Sequence, residues 1–77
     1  MKKNTARIEN WRMETSFSRS KNEEVEILTG NVYGHYIVPD GEIAFTTEVL
    51  NIDEKTAETR NTIYTLGAKE KIENEQN

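Results

Sequence analysis

His35 is the single histidine of a 77-residue chain that contains no cysteine. Thiolate nucleophiles, disulfides and zinc–thiolate sites are therefore excluded at once. Asp40 follows His35 by five residues, so an imidazole–carboxylate contact is within reach across a turn. A strand-end histidine beside a turn aspartate is ordinarily a structural hydrogen bond rather than a general base. Ser16, Ser18 and Ser20 lie in a polar stretch with no base next to them. One imidazole and scattered carboxylates make a poor metal-ligand set. The Gly-x-x-x-Gly at 30–34 is no phosphate loop, because no Lys-Ser/Thr follows it and the context is a strand. The residues therefore predict no enzyme, no metal and no cofactor.

Binding chemistry is better supplied. A ligand built from a base, a ribose and phosphates needs an aromatic face, hydroxyl groups and arginine. The chain offers Trp11, Tyr33, Tyr36, Phe45 and Tyr64; Thr46, Thr47, Thr59 and Thr62; and Arg7, Arg12, Arg19 and Arg60. Arg60 is one of two basic residues between 23 and 67, among nine carboxylates. It is either a surface partner of Glu42, Glu48 or Glu58, or a phosphate contact. The aromatics have an equally plain role as core. Trp11 lies outside the main apolar region and must bury itself, on its own sheet or as an anchor in a partner.

The elements that must position these groups read as β. Val25, Ile27, Val32, Tyr33, Tyr36, Ile37, Val38, Ile43, Phe45, Val49, Ile52, Ile63 and Tyr64 are strand-favouring types. Positions 43, 45, 47 and 49 alternate onto one face, and 11, 13, 15 and 17 form a weaker alternation predicted to point inward. Val38-Pro39-Asp40-Gly41-Glu42 is a turn signal joining a strand near 32–37 to one near 43–50. Asp53-Glu54-Lys55 marks a second turn. Arg60-Asn61-Thr62 marks a third turn or a bulge, with Asn61 suited to the left-handed region. Gly30 and Gly34 suggest a bulge or a close backbone approach. The expectation is mainly β: a small antiparallel sheet or open barrel of four to five strands. Residues 1–22 form a basic N-terminal arm with a possible strand at 11–17, residues 23–67 the β-domain, and residues 68–77 a polar tail, a frayed helix or disordered.

Charge follows the same division. Residues 1–22 carry six cations against two carboxylates, and residues 23–77 four cations against twelve carboxylates, which together give the net charge of −4. A basic arm on an acidic body is expected to dock on its own body or on a neighbouring subunit. Nucleic acid is disfavoured, because the acidic body repels phosphate. A chain of this size buries only about 60% of its unfolded surface, and oligomers supply what a small core lacks. A homo-oligomer is therefore expected. No apolar run suits a membrane span or a signal core, so the expected location is cytoplasmic.

Gly30-Asn31-Val32-Tyr33-Gly34-His35, Asp40-Gly41, Thr46-Thr47 and Thr59-Arg60-Asn61-Thr62-Ile63-Tyr64-Thr65-Leu66-Gly67 form a series. It resembles a family of short, mostly uncharacterised phage and prophage proteins. Their pattern is a strand ending in Gly-His, an Asp-Gly turn, a Thr-Thr or Thr-Ser pair and a closing Tyr-x-Leu-Gly. The resemblance covers about half the chain. Tyr36 stands where proline is usual after the histidine, and Asn61-Thr62 replaces a Ser-Gly turn. The resemblance implies an anti-defence accessory protein: a nucleotide sponge that sequesters a cyclic ADP-ribose-like immune signal in the host cytoplasm. An inhibitor that blocks a host defence protein such as a nuclease is the alternative, and a structural phage protein a third. The residues whose chemistry would serve such a ligand, and which are expected to bind it, are Arg60, Tyr36, His35, Thr46, Thr47, Tyr64 and Trp11.

Overall fold

The computed structural model describes residues 3–70. These residues form β1 (Asn4–Ser18), β2 (Glu23–Tyr33), β3 (Glu42–Glu48), β4 (Asn51–Ile52), β5 (Thr56–Glu58) and β6 (Thr62–Leu66), without a helix. The strands make one curled, open sheet in the order β3-β2-β1-β6-β5-β4, a half-barrel. Neighbours are antiparallel except β1 and β6, which run parallel with Asn4 opposite Thr62 and Ile8 opposite Leu66. The protein is thus mainly β with an open sheet, but of six strands rather than four to five, and mixed rather than antiparallel. Tight turns announce only antiparallel neighbours, and no turn joins β1 to β6. The expected basic arm is no appendage: it contains β1, 15 residues long, in the interior of the sheet.

Two asparagines make the bends of β1 and β2. Asn22, at φ 56°, closes the β1–β2 hairpin, and Asn10, at φ 51°, sits in a bulge between Glu9 and Arg12. Asparagine tolerates this left-handed region better than most residues. Gly30 lies against the bulge. A Cβ there would stand 2.7 Å from the Glu9 carbonyl oxygen and 2.9 Å from the Trp11 Cα, so only glycine lets the two backbones approach. Asn61 is not left-handed. Its turn is closed instead by Thr59, whose N–H and hydroxyl both donate to the Thr62 carbonyl at 2.9 and 3.1 Å.

The core is the concave face, where Ala6, Ile8, Leu28, Val32, Ala57 and Tyr64 are buried together. Trp11 and Met13 pack against it as expected, but Thr15 and Phe17 are exposed. Beyond Trp11, where the pairing with residues 67–70 ends, β1 has only β2 for a neighbour. On β3 the apolar alternation points outward. Ile43 and Phe45 are 68% and 65% exposed, whereas Ala44, in register with Gly30, faces the core.

The strand expected near 32–37 stops at Tyr33. Gly34 turns out of the ladder at φ 75°, and His35 Nδ1 then accepts hydrogen bonds from the N–H groups of Ile37 and Val38 at 3.0 and 3.3 Å. Those are donors a strand would have given to its neighbour. Asp40 accepts from Gly34 N–H at 2.8 Å, and Gly41, at φ 88°, completes the turn into β3. Asp53 closes the β4–β5 turn through its Oδ1, which accepts from the N–H groups of Lys55 and Thr56.

The outermost strands β3 and β4 are separated in sequence only by Val49 and Leu50. Val49 N–H donates to the Glu26 carbonyl and Leu50 N–H to the Glu58 carbonyl, so these two residues bridge opposite margins of the sheet. The C-terminal residues 68–70 are extended rather than helical and run parallel to the β1 bulge, with Glu70 N–H donating to the Trp11 carbonyl. Residues 71–77 of the expected tail lie outside the described residues. No helix of the described residues is long and apolar enough to cross a membrane.

Candidate ligand-binding grooves

Because the sheet curls, β3 comes to face the β5–β6 turn, and two open grooves lie along that seam. The first, about 270 Å³, is bounded by the loop after β2, by β3 and by the 59–62 turn. It gathers five of the seven expected site residues: His35, Tyr36, Thr46, Thr47 and Tyr64. The second, about 570 Å³, lies beside the β1–β2 hairpin and contains Arg60. Thr46 and Thr47 line both. Trp11 lines neither groove. Its indole Nε1–H donates to the Gly67 carbonyl at 3.0 Å, and Lys69 stands 5.4 Å above its ring, so it packs on its own sheet.

The first groove is aromatic. His35 stacks on Tyr36, with centroids 4.9 Å apart, and lies 6.2 Å from Tyr64 at a small interplanar angle. Tyr64 is buried, and that burial pushes its phenol pKa above the ordinary 10.0. Tyr36 is 61% exposed, leaving one ring face open for stacking. His35 Nδ1 is occupied as an acceptor, so the neutral ring carries its proton on Nε2. The contact with Asp40 that the spacing allowed does not form: the aspartate caps Gly34 instead.

The two threonines differ. Thr46 Oγ1 accepts from Leu28 N–H at 2.9 Å and donates to the Thr47 carbonyl at 2.8 Å. It mends the β2–β3 register shift between Ile27 and Thr29, and its single hydroxyl proton is already committed. Thr47 is exposed.

Ion pairing explains the position of Arg60. Lys3 pairs with Glu58 at 2.5 Å and Lys21 with Glu48 at 2.7 Å. Hydrogen bonds from Lys3 and Asn51 hold Glu58 below the usual carboxylate range, and the bond to Glu48 raises Lys21. Two of the carboxylates expected to hold Arg60 are thereby taken. Arg60 is exposed and makes no ion pair among the described residues. The basic N-terminal segment docks on its own body, because Arg12 also reaches Glu70 at 3.2 Å.

Sequence reasoning missed the second groove's walls. Phe17, Val25, Ile27 and Leu50 form apolar lining, with Ser16, Ser18 and Ser20 around them. The serine spacing was visible, but not the turn that brings it opposite Arg60. Among the described residues no group of three or more histidine, aspartate or glutamate side chains is gathered to hold a metal. Together the grooves present an aromatic face, exposed hydroxyls and an arginine, a composition suited to binding a small polar ligand. No protein family, curated protein or solved structure matches the chain.

Proposed function

We propose that the chain is a non-catalytic binding protein that captures a small nucleotide-derived ligand of the cyclic ADP-ribose type, as a homo-oligomer serving phage anti-defence in the host cytoplasm. The observation that carries this reading is the meeting of the two grooves at Thr47. A base stacked on Tyr36, above His35 and Tyr64, would lead its sugar past Thr47 and its phosphates to Arg60. His35 Nε2–H remains as a donor within the aromatic groove. Among the described residues seven large apolar side chains are exposed, Phe17, Tyr36, Ile37 and Phe45 at the grooves among them, and this supports a subunit contact near the site.

Calorimetric titration with cyclic ADP-ribose and ADP-ribose tests the proposal. Arg60→Ala should weaken capture by about tenfold or more, the size of one charge-assisted phosphate contact, while native mass spectrometry shows the same oligomer. Undiminished affinity in that variant removes Arg60 from the site, and a wild-type protein that binds neither nucleotide overturns the reading.

A second reading has its own observation. Glu23, Glu24 and Glu26 are exposed along one end of β2 and make no ion pair among the described residues. An acidic strand of this kind suits a basic groove on a host nuclease. Binding of that type weakens steeply with salt, whereas nucleotide capture on a stacked ring changes less.

A further inference from the structure

We infer that the Lys21–Glu48 pair sets the charge admitted to the Arg60 groove, so that the ligand's phosphate enters as an ester with one negative charge and not as a terminal phosphate. This rests on the reading of the grooves as a nucleotide site and names the chemistry of its phosphate end.

The groove contains two cations, Lys21 and Arg60, and one anion, Glu48, a net charge of one positive. Lys21 Nζ is 2.7 Å from Glu48 Oε1, so its charge is already answered within the wall. Arg60 is the cation left over: it has no carboxylate partner among the described residues. One guanidinium fits one phosphate carrying one charge, through paired N–H donors. A terminal phosphate carries closer to two charges at neutral pH, its second pKa lying near 6. The additional charge would face the Glu48 carboxylate, and like charges brought together in a binding site discriminate against the ligand that carries them.

The rest of the wall points the same way. Phe17, Val25, Ile27 and Leu50 are poor neighbours for a strongly hydrated dianion. Ser16 and Ser18 beside them suit a sugar or ring attached beyond the phosphate. Glu48 is therefore a specificity-determining residue and Lys21 the group that moderates it.

The test is titration of the full chain with ADP-ribose and ADP, which share adenosine diphosphate and differ in whether the outer phosphate is esterified. Wild type should prefer ADP-ribose. Glu48→Gln should narrow that preference by about fivefold, the size of one partly screened charge contact. Lys21→Gln unmasks Glu48 and should widen it. If both nucleotides bind and neither substitution moves the ratio, this inference falls while the nucleotide reading stands. If wild type binds neither nucleotide, both fall together. Should Glu48→Gln fail to fold, Lys21→Gln decides alone: a widened ratio supports the inference and an unchanged ratio overturns it.

Discussion

Thr46 and Thr47 look alike in sequence and differ entirely in what their hydroxyls do. Thr46 Oγ1 joins Leu28 N–H to the Thr47 carbonyl, and both of its bonds stay within the sheet. Replacing it with valine leaves a partly buried N–H without an acceptor, a loss of about 1–3 kcal/mol. Urea denaturation of Thr46→Val should show that loss with ligand affinity unchanged in the folded fraction, and Thr47→Val should show the reverse. A Thr46→Val protein of full stability would mean that the hydroxyl is not structural. The pair was legible as a polar cluster, but not as one structural and one exposed residue, because that division depends on a register shift with no turn residue to announce it. Arg60 was legible as an isolated cation among carboxylates. That Glu48 and Glu58 would be taken by Lys21 and Lys3 required the fold.

At the scale of the element, the loop from Gly34 to Gly41 hangs on three side chains, one of them Asn31, whose Nδ2 donates to the Gly41 carbonyl at 3.0 Å. Asp40 holds its entrance at Gly34, and His35 holds its middle through the N–H groups of Ile37 and Val38. His35→Ala removes both middle anchors while leaving the ladder of β2 intact. Hydrogen exchange at Ile37 and Val38 should therefore accelerate by about tenfold or more, as for amides released from local protection, while the β1 and β2 amides exchange as before. Unchanged exchange at both amides would show that the loop is held by other contacts. The turn at residues 38–42 was readable from proline, aspartate and glycine, but the strand before it was drawn too long. Tyr36, Ile37 and Val38 carry strand propensity, and an imidazole nitrogen outcompetes the ladder for the amides of Ile37 and Val38. The alternation of β3 placed 43, 45 and 47 on one face without saying which way that face turns. Alternation shows which residues share a face, not which face is covered, and Gly30 with Ala44 decides that here.

Over the whole molecule, a stability window in pH follows from three groups. Tyr64 has a raised pKa, so its contribution is complete below the ordinary value of 10.0 and is lost as pH rises through the folded value. Asp53, lowered by the N–H groups of Lys55 and Thr56, and Glu58, lowered by Lys3 and Asn51, act in the opposite direction. Their contribution is present above the ordinary values of 3.8 and 4.5 and is lost as pH falls below them. Thermal midpoints measured from acid to alkali should be flat between these limits and fall at both ends. Asp53→Asn should flatten the acid side, and an unaltered acid limb in that variant would remove Asp53 from the account. The β class, the Asp53 turn and the close approach at Gly30 were all legible from local signals. The parallel seam between β1 and β6 was not, since it joins Asn4–Ile8 to Thr62–Leu66, residues far apart in sequence with no local signal to link them. That seam also bears on synthesis. While the chain emerges from a ribosome, the β1–β2 hairpin is available early, yet one side of Asn4–Ile8 has no neighbour until residues 62–66 appear. Ile8, fully buried in the finished sheet, lacks that neighbour until residues 62–66 have been made. The nascent protein is therefore open to proteases and to mispairing with another chain in the interval before β6 arrives.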